Sequence, residues 1–96
     1  MSLRLFGNRK KFNDQDIERE LTLIFRKMFQ ADDSERFSHL KYGDDIWDRE
    51  RHKKLLINIE KVFSIRIDSN HRELCQNYLL IFNVLKAVLK NVNRHI

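Results

Sequence analysis

The sequence predicts an all-α domain, a bundle of three longer helices and one short one. Three observations carry that expectation. Proline is absent and Gly7 and Gly43 are the only glycines, so the residues that punctuate strands and hairpins are nearly missing. Apolar side chains recur at helical spacing in three stretches. The chain of 96 residues is 42% apolar and 34% charged, with seven Phe, a balance that suits one folded core and not a disordered segment.

Residues 1–12 read as a basic arm: Arg4, Arg9, Lys10 and Lys11 stand there without an acid, with Leu3, Leu5, Phe6 and Phe12 between them. Residues 13–96 read as a single helical domain. The first helix starts at Asn13 or Asp14 as cap, carries Asp16, Glu18 and Glu20 early and Arg26 and Lys27 late, and so suits the helix dipole. Ile17, Leu21, Ile24, Phe25, Met28 and Phe29 form its apolar face. Residues 30–45 keep no sustained period and predict a long loop, with a turn of helix around Ser34 to Phe37 and with Phe37, Leu40 and Tyr42 pinned to the core.

A second helix is expected from Asp48 to Phe63, with Leu55, Leu56, Ile59, Val62 and Phe63 inward. Ser64 to Asp68 alternates in a β-branched pattern and predicts extended chain. Asn70 with Glu73 suggests a capping box for a short helix, and Asn77 caps the last one. There Tyr78, Ile81, Phe82, Leu85, Val88, Leu89 and Val92 keep helical spacing, while Leu80, Val84 and Ala87 form a second apolar stripe. A helix apolar on two sides is usually covered twice, so this stripe predicts weak self-association, or cover by the arm.

Net charge is +5, unevenly placed. Residues 14–46 hold nine acids against five bases, residues 47–73 hold seven bases against five acids, and Lys86, Lys90 and Arg94 stand at the end without an acid. Such patches attract nucleic acid, anionic lipid or an acidic protein. Cys75 is the one cysteine, and no leader pattern opens the chain, which makes a reducing cytoplasm the expected compartment. No apolar run approaches the roughly 18 residues of a membrane span.

The run Tyr42-Gly43-Asp44-Asp45-Ile46-Trp47-Asp48-Arg49-Glu50, followed by Leu55-Leu56-Ile57-Asn58-Ile59-Glu60-Lys61-Val62-Phe63-Ser64-Ile65-Arg66-Ile67, resembles the centre of an acyl carrier protein. In that family an aromatic, two acids, an aliphatic and Gly-x-Asp-Ser-Leu lead into a helix ending in Glu-Glu-x-Phe and an extended Ile. Ile17, Leu21, Ile24, Phe25 and Phe29 look like the first carrier helix, and Tyr78, Phe82 and Leu85 like the last, so the resemblance covers roughly residues 14–90.

The resemblance implies a carrier-protein-like bundle but removes the carrier chemistry. The family's serine hydroxyl holds phosphopantetheine, and Arg49 stands at its position; Glu50 replaces the leucine, Trp47 the glycine, and Asp48 alone remains. Ser38 is a poor substitute, because the helix after it would need apolar residues at Asp44, Asp45 and Asp48. No phosphopantetheine or other cofactor is expected. On a wheel of about 100° per residue, Ile57 lies opposite the core face among Lys53, Lys54 and Lys61. Family members show their enzymes an acidic second helix. A basic one repels the same basic enzymes, so an acidic partner or a different surface is required, and the expected partner surface is Trp47, Arg49, Lys53, Lys54, Ile57 and Lys61, meeting an acidic protein.

The remaining chemistry reads as structural. His39, His52, His71, His95 and Cys75 offer soft ligands, but only His71 and Cys75 share a helix face, and two ligands do not complete a metal site. His52 faces the core side and is expected to bond a backbone carbonyl. Asp44, Asp45, Asp48 and Glu50 lack the spacing of a calcium loop and fit helix capping. With no nucleophile and base pair and no phosphate-cradling glycine loop, the chain is read as a non-catalytic, protein-binding structural or regulatory module. The alternative is a small basic nucleic-acid-binding protein, with Arg49, Arg51, Lys53 and Lys54, the arm, and Lys86, Lys90 and Arg94 neutralising phosphates and Phe6 or Trp47 stacking on bases.

Overall fold

The computed structural model describes residues 12–30 and 39–94, with the side chains of the last helix as far as Lys90. The arm up to residue 11, the turn expected at Ser34 to Phe37, Ser38, and the side chain of Val92 lie outside the described residues. The regular structure described is helical: α1 (Asp14–Phe29), α2 (Arg49–Phe63), the short α3 (Ser69–Leu74) and α4 (Tyr78–Arg94). Among the described residues the one sheet-like contact is an isolated antiparallel bridge between Lys41 and Asn77.

Each helix begins on a side chain that satisfies its free N–H groups. Asn13 and Asp16 cap α1 reciprocally: Asn13 Oδ1 accepts from Asp16 N at 2.8 Å, and Asp16 Oδ2 accepts from Asn13 N at 3.2 Å. Asp48 caps α2 by accepting from Arg51 N at 2.9 Å. Asn77 accepts from Leu80 N at 2.8 Å at the start of α4. The box expected at Asn70 and Glu73 does not form. Asp68 caps α3 instead, accepting from His71 N at 2.8 Å, because its extended backbone frees the carboxylate to reach forward while Ser69 and Asn70 are already helical.

The segment between α2 and α3 is tied down by a single carboxylate. Glu60 Oε2 accepts from Ile67 N at 2.8 Å and from Arg72 at 3.2 Å, and Arg72 Nε donates to Ile67 O at 2.9 Å. Ile65 is half-buried and Ile67 buried, with Arg66 and Asp68 exposed between and after them. That is the alternation expected of extended chain.

Aromatic contacts at the helix ends give the packing. Phe12, just ahead of α1, meets Phe63 at the end of α2, with ring centroids 4.9 Å apart. Trp47, just ahead of α2, meets Phe25 and Phe29 late in α1. α1 and α2 therefore run antiparallel. Tyr78 at the start of α4 packs on Phe25 and donates to Glu18 O at 3.4 Å, while Lys86 pairs with Asp14 at 3.6 Å, so α4 is antiparallel to α1 as well.

The core is built from Ile17, Leu21, Ile24, Phe25 and Phe29 of α1, Leu55, Leu56, Ile59 and Phe63 of α2, and Ile81, Val84, Leu85 and Leu89 of α4, with Trp47, Ile67 and Cys75 between them. Burial of one such aliphatic side chain contributes roughly 1.5–3 kcal/mol. Leu40 and Tyr42 pack against this core as expected, and so does Phe12, which belongs to the packed domain although the sequence groups it with the arm. Val62 does not join the core. It is 41% exposed and stands with Leu23 on the wall of a groove between α1 and α2.

Candidate functional site

The face of α2 turned away from the core carries most of the residues expected to meet a partner. Arg49, Lys53, Lys54, Ile57 and Lys61 are all exposed, and Ile57 is a large aliphatic side chain left 48% in solvent. None of the four cations forms an ion pair among the described residues. Arg49 is the first residue of α2. The described serines, Ser64 and Ser69, follow the far end of that helix.

Trp47 does not belong to this face. It has no exposed surface and lies edge-on to Phe25 at 5.6 Å and tilted against Phe29 at 5.2 Å. The loop before α2 turns it inward. Gly43, at φ +106, donates to Trp47 O at 3.0 Å, Trp47 N donates to Asp44 O at 2.9 Å, and Asp44 Oδ2 accepts from Lys41 N at 3.0 Å. An indole buries more apolar area than any other side chain, but its N–H must find an acceptor. His52 supplies it.

Trp47 Nε1 donates to His52 Nδ1 at 3.0 Å, and the imidazole stacks on Tyr42 with ring centroids 4.1 Å apart. The backbone-carbonyl partner expected for His52 is therefore replaced by an indole. Accepting at Nδ1 fixes a neutral imidazole with its hydrogen on Nε2. Burial, and then the Arg72 guanidinium, hold the His52 pKa below its ordinary value. A Trp five residues ahead of a His on the inner side of a helix is the signal that could have revealed this pair.

The other titratable groups are engaged structurally. Cys75 is buried, its thiol donates to His71 O at 3.3 Å, and burial pushes its pKa up to about 11, the opposite of nucleophile activation. Asp68 accepts from the backbone and ring of His71, which holds its carboxyl below the usual range. Tyr78 and Thr22 share a hydrogen bond at 3.0 Å. Among the described residues no three His, Cys, Asp or Glu side chains gather into a metal-sized group, and no helix is long and apolar enough to cross a membrane.

The stripe expected on the last helix is not an exposed surface. Val84 is buried, Leu80 is half-buried, and Ala87 alone is exposed. The buried arc of α4 takes in Ile81, Val84, Leu85 and Leu89, a set in which Val84 neighbours Ile81 at i−3 and widens the core face. Self-association through Leu80, Val84 and Ala87 loses its basis. Sequence reasoning missed the groove between α1 and α2, whose exposed Leu23 it left unassigned.

The chain matches no protein-family model, no curated protein and no solved structure.

Proposed function

We propose that the chain is a non-catalytic protein-binding module built like an acyl carrier protein but without its phosphopantetheine arm, and that it docks an acidic protein on the outer face of α2. The observation that carries this reading is Ile57, exposed among Lys53, Lys54 and Lys61, whose charges no carboxylate answers among the described residues. Covering the exposed half of Ile57 supplies about half of the roughly 1.5–3 kcal/mol of a full aliphatic burial, and the cations steer an acidic surface toward it and reject basic ones. The order of α1, a long connection, α2, extended chain, short α3 and α4 supports the carrier-like architecture. Arg49 at the head of α2 supports the loss of the arm, because a guanidinium cannot form the phosphodiester.

The nucleic-acid alternative is weakened by one finding. Trp47, the stacking candidate within the described residues, is sealed in the core. One experiment addresses both readings. The purified chain is incubated with coenzyme A and a broad-specificity phosphopantetheinyl transferase and weighed intact, then passed over immobilised double-stranded DNA and over an immobilised acidic protein in a salt gradient. Unchanged mass is expected, with retention on the acidic protein at salt concentrations that release the chain from DNA, and that retention is lost in Ile57→Asp. A mass gain of one arm, or tighter retention on DNA, overturns the reading.

A further inference from the structure

We infer that the groove between α1 and α2 is a docking site for an acidic amphipathic helix of a partner protein. The inference rests on the proposed protein-binding role and adds to it a seat that the outer face of α2 does not provide. The groove encloses about 580 Å³. Its apolar lining is Ile24, which is buried, with Leu23 of α1 and Val62 of α2 at 49% and 41% exposure, and Asn58 of α2 is the uncharged polar residue beside them.

Its rim is cationic. Arg26, Lys27 and Lys61 line it and pair with no carboxylate among the described residues. The acid in the lining, Glu20, already has Arg19 Nε at 3.7 Å. Basic residues in the last turn of a helix compensate its dipole, and that accounts for Arg26, Lys27 and Lys61 singly. It does not account for two large aliphatic side chains left in water between them.

The shape and charge select the occupant. The α1 residues that line the groove run from Glu20 to Lys27, about two helical turns, and a furrow between two packed helices accepts a third helix through apolar residues spaced i, i+3 or i+4. The cationic rim requires Asp or Glu beside those anchors. A second copy of this chain would set basic rim against basic rim. The N-terminal arm, with Arg4, Arg9, Lys10 and Lys11 and no acid, is mismatched in the same way. A nucleic-acid backbone would meet the cations but leave Leu23 and Val62 against phosphate.

The test is selection of binders from an unbiased displayed library of 15-residue peptides on the full chain, followed by affinity measurement on variants. Leu23→Ser and Arg26→Glu/Lys27→Glu change exposed positions of α1 that lie outside the α2 surface, and circular dichroism checks that each variant still folds. Expected are enriched peptides with helical apolar spacing and flanking acids, binding these variants at least tenfold more weakly than the unaltered chain. Peptides insensitive to the α1 changes but lost on Ile57→Asp would overturn the groove and leave the module reading standing. Peptides without acidic enrichment, or displaced by DNA at equal salt, would overturn both. Affinity that rises at least tenfold when Asp32, Asp33 and Glu35 are neutralised would assign the groove to the chain's own acidic segment and overturn the proposal, as would concentration-dependent dimerisation abolished by Leu23→Ser. A selection that enriches nothing overturns it too.

Discussion

Trp47 and Ile57 are ten positions apart, both large and apolar, and the sequence places both at a partner surface. In the structure Trp47 has no exposure and Ile57 is 48% exposed. The difference lies in what positions each residue. Ile57 sits within a helix, where the direction of its side chain follows from the spacing of Leu55, Leu56 and Ile59. Trp47 sits in a loop, where no period applies and the direction is set by Gly43, by the hydrogen bonds of residues 41–47 and by the imidazole waiting on α2. Exposure inferred from a helical wheel is therefore a stronger statement than exposure inferred from place in a motif.

The largest expected effect tests the wheel directly. Ile59 has no exposed surface, and Ile59→Asp buries a carboxylate with no partner, at a cost of about 4 kcal/mol or more out of a total stability on the order of 5–15 kcal/mol. Thermal melts followed by circular dichroism should show a Tm lowered by roughly 15–30 °C for Ile59→Asp, or no folded baseline at all if the unaltered chain lies at the low end of that stability range. Ile57→Asp should stay within about 0.5 kcal/mol of the unaltered chain, as surface substitutions do. Equal damage from both would break the comparison.

An intermediate effect concerns the Trp47 side of it. The His52 pKa is lowered in the fold, so the folded chain binds fewer protons at this site than the unfolded chain does. The contribution is fully present above the unfolded pKa of about 6.5 and is lost as pH falls through the lower folded value. Protonation also places a hydrogen on Nδ1, where the indole N–H already points. Urea denaturation at pH 7.5 and pH 5 should show a loss of stability that His52→Gln reduces, since an amide oxygen accepts from Trp47 Nε1 without titrating. Arg72, Lys53 and Glu73 line the same cleft, and Arg72→Gln should raise the His52 pKa measured by NMR. An unchanged pH dependence in His52→Gln would show that the indole–imidazole pair does not sense pH.

How far the sequence could be read follows the same division. The three long helices, the caps Asn13, Asp48 and Asn77, and the extended Ile65 and Ile67 follow from spacing and local chemistry, and the structure has them. Asp68 as the cap of α3 was not legible, because Asn70 with Glu73 offers a capping pattern that only the backbone of residues 68–70 rules out. Val84 and Val62 exchanged roles for a tertiary reason. Burial depends on where neighbouring helices touch, so Val84 joins the core and Val62 faces a groove, although periodicity puts Val62 beside Leu55. The outer face of α2 was legible as a solvent-facing surface. The groove was not, because it is made by two helices and belongs to neither alone.

The smallest expected effect separates backbone from side chain at the end of α2. Ser64 closes the helix in the left-handed region, at φ 53 and ψ 49, with its N–H bonded to Glu60 O and its side chain exposed. A left-handed conformation costs a residue with a Cβ roughly 1–2 kcal/mol, and glycine avoids most of that. Glycine also loses more freedom on folding, by about 0.5–1 kcal/mol, so Ser64→Gly should stabilise the chain by only about 0.5–1 kcal/mol. For a domain of this size that is a rise of a few degrees in Tm. Gly43 provides the opposite sign. A Cβ there meets nothing within 4 Å, so the cost of Gly43→Ala is purely the φ of +106 and should fall at about 1–3 kcal/mol, with the loop that aims Trp47 inward as the part strained. Because the Trp47 side depends on that loop and the Ile57 side does not, Gly43→Ala should alter Trp47 fluorescence while leaving retention on the immobilised acidic protein unchanged. A parallel loss of both would mean that the two sides of α2 are coupled through the loop and are not independent.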